Sequence, residues 1–163
     1  MPNRAENFVA LAGVLRFLSA MNIQVAVLCD AATDSDGKLN LLGAFDTIYA
    51  QTLPAIHPQC SIALRVTFTS GDEGAHTLKL HFVDADGRPI MPSMDIPVEV
   101  AMPEDTHFGT RNFIINIQQL KFSAPGLYAI DVTLAEQTIA SIPLMVRLVQ
   151  PQADESEKWK QAD

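Results

Sequence analysis

From Cys60 to Asp84 the chain alternates apolar and polar residues with a period of two, a pattern that only extended backbone can put to use. Ile62, Leu64, Val66 and Phe68 fall on one face, and Ala63, Arg65, Thr67 and Thr69 fall on the other. After the turn-forming residues Ser70 to Gly74, Leu78, Leu80 and Phe82 repeat the apolar face opposite Lys79 and His81. The two runs predict adjacent strands of a half-buried antiparallel sheet.

The same rhythm continues along the chain, with strands expected near 22–31, 38–49, 60–69, 76–84, 93–101, 111–120, 127–135 and 139–149. About eight short strands separated by turn residues, with no helical stretch between them, predict an all-β antiparallel sandwich, immunoglobulin-like or C2-like. The turns at Asp34 to Gly37, Ser70 to Asp72, Asp84 to Gly87 and Ala124 to Gly126 carry residues that tolerate positive φ or preset a bend, so most neighbours should pair as hairpins. Pro97 and Pro143 lie inside strand-like runs. A missing backbone donor is tolerated at a sheet edge or a bulge, so both strands are expected at edges. Tyr128 follows Pro125 and Gly126 and begins an alternating run, the pattern of a tyrosine whose hydroxyl bonds back to nearby backbone.

The chain has 163 residues and is 48% hydrophobic, enough for one core. Three segments are expected: an N-terminal extension over 1–20, a β-domain over 21–149 and a polar tail over 150–163. Phe8, Leu11, Leu15 and Leu18 recur at helical spacing behind Asn3 and Glu6, which fits a short appended helix. A secretory signal is disfavoured by Glu6, by Arg16 and by bulky Leu18 ahead of Ala20. An upstream over-extension of the start is the third reading, with Met21 immediately before the first strand; intact mass decides between them. The apolar run is too short to span a bilayer. The tail is too polar to offset its own ordering and is expected to stay mobile.

The formal charge is −8, and residues 21–149 hold fourteen acidic against seven basic side chains. An acidic exterior repels phosphate backbones and anionic lipid, so nucleic-acid binding is disfavoured. Cys29 and Cys60 could approach across a sheet, but a domain of this size folds without staples, and the sequence does not demand that bond.

Chemistry-bearing motifs are sparse. Asp34-x-Asp36-Gly37 and Asp84-x-Asp86-Gly87 gather carboxylates beside glycine, as calcium loops do. In an EF-hand register the first ligand position would be Ala32 or Phe82 and the last Gly43 or Ser93, so neither loop is an EF-hand. Placed at one end of a sandwich, the two turns could form a calcium or small-ligand cup, with Asp30 as a further ligand. Hairpin turns also select Asp and Gly for backbone reasons, and that reading is favoured. His76 and His81 are an odd number of residues apart and point to opposite strand faces, so a zinc pair is not expected. Hydrolase, metalloprotease and phosphate-loop motifs are absent, which argues against an enzyme. No cofactor is expected.

The stretches Val27 to Ala32, Gly37 to Ile48 and Leu53 to Pro58, with Asp84 to Pro89 and Asn112 to Leu120, resemble an uncharacterised bacterial family classed as a domain of unknown function. The resemblance covers about residues 21–149 and implies a bacterial, cytoplasmic β-domain, with no catalytic residue to carry over. Within it, Leu39, Leu41 and Phe45 are expected to fill a core face, and Gly43 to permit a bulge or close backbone approach. A structural first hairpin is the favoured reading of this stretch; the functional alternative is that Asn40, Asp46 and Thr47 present a polar surface to a partner. The favoured reading is a noncatalytic interaction module that binds a protein or a second copy of itself, with the acidic-loop ligand site as the alternative.

Overall fold

The computed structural model describes residues 21–150. The helix or over-extended start expected over 1–20, and the tail beyond residue 150, lie outside the described residues. Nine strands run in chain order: β1 (Asn22–Ser35), β2 (Lys38–Phe45), β3 (Thr47–Ala50), β4 (Ala55–Phe68), β5 (Gly74–Asp84), β6 (Met94–Val100), β7 (Gly109–Phe122), β8 (Gly126–Leu134) and β9 (Gln137–Leu148). They form a four-stranded sheet ordered β2-β1-β4-β7 and a five-stranded sheet ordered β3-β9-β8-β5-β6.

The inner faces follow the alternation read from the sequence. Ile62, Leu64 and Val66 of β4, Leu78 and Leu80 of β5 and Val132 and Leu134 of β8 are fully buried in one core between the sheets. Each such side chain contributes roughly 1.5 to 3 kcal/mol by leaving water, so this interface dominates stability. Tyr128 donates its hydroxyl to the Ala124 carbonyl at 2.7 Å and meets Phe122 edge-on, closing the turn into β8 as expected.

Four expectations about connectivity and packing are corrected. The runs at 60–69 and 76–84 alternate as read but do not pair: β4 and β5 lie in different sheets. Residues Ser70–Asp72 form one 3₁₀ turn, and the Asp72 carboxylate accepts from both the backbone and the hydroxyl of Thr69. A helical turn redirects the chain across the layers, whereas a tight hairpin turn would return it alongside.

The expected strand at 38–49 is two strands. At Asp46 the chain leaves β1, and the Asp46 carbonyl accepts from the Met145 amide at 2.7 Å, starting the pairing of β3 with β9. That pairing is parallel, an exception in an otherwise antiparallel fold. Pro143 lies in an inner strand, not at an edge. It is tolerated because β3 pairs with β9 only from Met145 onward, leaving the Pro143 nitrogen without a ladder partner to lose. Pro97 lies in β6, an edge strand, as expected.

Leu39, Leu41 and Phe45 do not share a core face. Phe45 packs against the core, but Leu41 is 41% exposed. The reason is the path of the β1–β2 hairpin. Arg65 of β4 pairs with Val25, yet donates to the carbonyl of Gly37 at 2.8 Å, twelve residues further along. In a straight hairpin those points would be about 40 Å apart. The distal hairpin therefore folds back over the outer face of its own sheet, which explains how outward-facing Ala63 is fully buried. The turn is fastened there: Asn112 of β7 donates to the Asp34 carboxylate and to the Gly37 carbonyl, and Arg65 also bonds Gln24 and Asn112.

A recess where three chain segments meet

The fold-back begins at Asp30 and Gly43, register neighbours between the paired rows Cys29↔Ala44 and Ala31↔Leu42. Gly43 has φ +63°, and a β-carbon there would lie 2.8 Å from the Asp30 Cγ and closer still to its Oδ2. Glycine thus allows both the left-handed backbone and the close approach of the carboxylate, with no register shift in the hairpin.

Around this point lies a recess of about 410 Å³, lined by Asp30, Gly43, Ala44, Phe45, Thr47, Ile48, Tyr49 and His57. It draws on all three leading stretches of the family resemblance: Asp30 from the first, Gly43 to Ile48 from the second and His57 from the third. Phe45 and His57 form one wall, ring centroids 5.3 Å apart and tilted by 46°. The His57 Nε2 is shielded from solvent and has no hydrogen-bond partner among the described residues. Tyr49 stands at the mouth, 65% exposed. Neither ion pair found among the described residues, Lys79–Glu136 or Arg88–Asp86, involves Asp30.

The structure therefore brings together Asp30 and Thr47, which the sequence assigned to different surfaces, and scatters the other candidates. Asn40 lies near the hairpin turn, bonded to Thr33 and Ser35, whereas Asp46 follows the far end of β2. The Asp46 carboxylate is engaged by the Thr47 hydroxyl at 2.8 Å. Asn40, Asp46 and Thr47 thus do not form one surface.

The acidic turns do not form the cup. Asp34 sits beside Arg65 and Asn112, near the end of β4 from which the chain enters β5, whereas Asp84 and Asp86 lie at the opposite end of β5. Asp34 and Asp84 serve their own turns: Asp34 accepts from the Gly37 amide, and Asp84 accepts from the amides of Asp86 and Arg88. Asp86 pairs with Arg88 at 3.4 Å. Donation by Asn112, then by the Gly37 amide, with a smaller contribution from Arg65, holds the Asp34 carboxyl below the usual carboxylate range. No group of three or more His, Cys, Asp or Glu among the described residues is arranged to hold a metal.

Cys29 and Cys60 are free and buried. Cys29 pairs with Ser61 and donates its thiol to the Ser61 carbonyl, so Cys60, one residue away, points to the other face. Burial chiefly, then Cys29 and the Asp30 charge, push the Cys60 thiol up to about 11.

A larger groove of about 700 Å³ crosses the outer face of the five-stranded sheet, floored by His81, Asp131, Thr133 and Thr138 and walled by Pro89 to Ser93. His81, Asp131 and Ser141 form one row across β5, β8 and β9, and Ser141 donates to Asp131 at 2.7 Å. Sequence reading missed the groove and the ring walls of the recess. The run Pro89-Ile90-Met91-Pro92, apolar yet rich in breakers, was the available signal for the groove; nothing local marks Phe45 and His57 as neighbours.

Fold and site together define a two-sheet β-sandwich domain with a polar, ring-walled recess at one side. The chain belongs to a family of unknown function, DUF6941, whose model matches residues 24–147. No curated protein matches it. Among solved structures it is similar to an alkylpurine DNA glycosylase, AlkC, of Pseudomonas fluorescens bound to DNA with an abasic-site analogue, at 10% identity and TM-score 0.43, covering 82% of this chain and 33% of that one. It is also similar to an immunoglobulin-like protein of Pseudomonas aeruginosa, at 12% identity and TM-score 0.35, covering 78% and 96% respectively. The sandwich assignment itself rests on the strand pairing described above. No helix among the described residues is long and apolar enough to cross a membrane.

Proposed function

We propose that this domain is a noncatalytic interaction module that binds a protein partner through the outer face of its five-stranded sheet. One observation carries the reading. The outward positions of β5, β8, β9 and β3 include Val83, Ala129, Leu127, Pro143, Met145 and Tyr49, where a solvated sheet face calls for polar residues. Leu127 is 57% exposed and lies in one row with Met145 and Thr47. The opposite sheet covers part of its own outer face with the β1–β2 hairpin, whereas among the described residues no hairpin covers the Leu127 and Met145 rows of this face. Exposed apolar rows of this kind mark interaction surfaces.

The Ser141 hydroxyl donates to Asp131, and among the described residues no imidazole accepts from it, so the row lacks the serine–histidine contact of an activated nucleophile. The charge of −8 favours a partner with basic residues over a second, equally acidic copy. Two free, buried thiols accord with a reducing, cytoplasmic setting.

The test combines light scattering with affinity capture by the wild-type chain and by Leu127→Asp. The expected result is a monomer and a partner, identified by mass spectrometry and rebound as a purified protein, that Leu127→Asp no longer holds although its melting midpoint is unchanged. A stable dimer, or partner binding indifferent to Leu127→Asp, would refute the proposal.

A further inference from the structure

We infer that the recess at Asp30 is a receptor for a guanidinium group, the side chain of an arginine on the partner. The identity of the arginine's bearer rests on the interaction reading above; the chemistry of the recess does not. Asp30 supplies a carboxylate without an ion-pair partner among the described residues, seated against Gly43 where any β-carbon would displace it. Phe45 and His57 supply a wall of two contacting rings, and Tyr49 is a further lining residue. A carboxylate flanked by rings is complementary to a planar cation, which can donate two parallel hydrogen bonds and stack at the same time. Lysine matches the charge but not the planar fork. The volume of about 410 Å³ admits a side-chain head with its stem and falls within the range of small-ligand clefts.

The nearest basic side chain in register is Arg147, opposite Tyr49 on β9. Its Nε is turned to the Met145 sulfur at 2.9 Å, and it makes no ion pair with Asp30. Tyr49 also belongs to the outward row next to Leu127 and Met145. An arginine seated in the recess would therefore lie at the margin of the apolar face.

The experiment is a titration of the full-length, isotopically labelled chain with N-acetyl-arginine-N′-methylamide, followed by amide NMR. The neutral citrulline analogue and the lysine analogue serve as controls. Saturable shifts confined to Asp30, Gly43, Tyr49 and His57 are expected with the arginine probe and not with citrulline. Asp30→Asn should weaken binding about tenfold or more while leaving other resonances in place. Equal shifts with citrulline, equal affinity for the lysine probe, or an unchanged affinity in Asp30→Asn would overturn the assignment. If the arginine probe saturates the recess while no partner depends on Leu127, the receptor stands and the interaction reading falls; the reverse result removes the receptor alone.

Discussion

Replacing Gly43 with alanine tests the geometry on which the recess depends. Two costs are expected. The backbone at Gly43 sits at φ +63°, where an L-residue is disfavoured by about 1 to 2 kcal/mol. The new methyl would also lie 2.8 Å from the Asp30 Cγ, well inside van der Waals contact. Asp30 is exposed, so its side chain can rotate away, and the steric part should add only about 0.5 to 1 kcal/mol. A total of about 1.5 to 3 kcal/mol corresponds to a melting midpoint lowered by roughly 5 to 12 °C in a domain of this size. Denaturant melts of Gly43→Ala, Asp30→Ala and the double variant separate the two costs. The double variant should recover the steric share and none of the backbone share, giving a coupling of about 0.5 to 1 kcal/mol. Unperturbed stability in Gly43→Ala, or a coupling indistinguishable from zero, would refute the claim that glycine makes room for the Asp30 carboxylate.

Leu64, fully buried in β4, should not tolerate Leu64→Asp: loss of the cooperative thermal transition is expected, and a soluble variant with an unchanged melt would show that this face is not core. Asn112→Ala should raise the Asp34 pKa toward its ordinary value in a carboxyl NMR titration and speed amide exchange over residues 31–44, because it removes donors to the turn. Since the Asp34 pKa is lowered in the folded state, its contribution to stability is present above the unfolded value and is lost as pH falls through the folded one. Asn112→Ala should therefore lessen the acid sensitivity below about pH 4, as followed by melts across that range. Cys60 works in the opposite sense: its raised pKa contributes fully below the ordinary thiol value of 9.0, and that contribution is lost as pH climbs toward about 11. Alkylation at pH 8, read by intact mass, should modify neither thiol of the folded chain within the time that labels both in denaturant. Tyr128→Phe should cost about 0.5 to 1.5 kcal/mol in chemical denaturation by deleting the bond to Ala124, and no loss would mean that water replaces it.

The inner faces were legible residue by residue. Ile62, Leu64 and Val66 alternate with residues of another character, and a period of two has one physical realisation, so their burial follows from spacing alone. Gly43 was legible as a place of close backbone approach, although not as the neighbour of Asp30. What could not be read was partnership. Ser70 to Gly74 looks like a hairpin turn by composition, but the Asp72 carboxylate closes a helical turn, and that contact sends β5 to the other sheet. The candidate site was half legible for the same reason. Asp30 and Thr47 were singled out, but Phe45 and His57, twelve residues apart, meet only because β2 and β4 flank the same strand.

The sequence by itself determined an all-β domain, its inward residues, its turn chemistry and its acidic exterior, because these depend on local backbone preference and on which side chains leave water. The tertiary structure alone decided that the acidic turns sit at opposite ends, that the hairpin folds back over its own sheet, and that a carboxylate and the Phe45–His57 ring pair share one recess. Those outcomes depend on which strand pairs with which, a choice made by long-range hydrogen bonds such as Arg65 to Gly37 and Met145 to Asp46. No alternation pattern encodes such a choice, since every strand in the chain presents the same two faces.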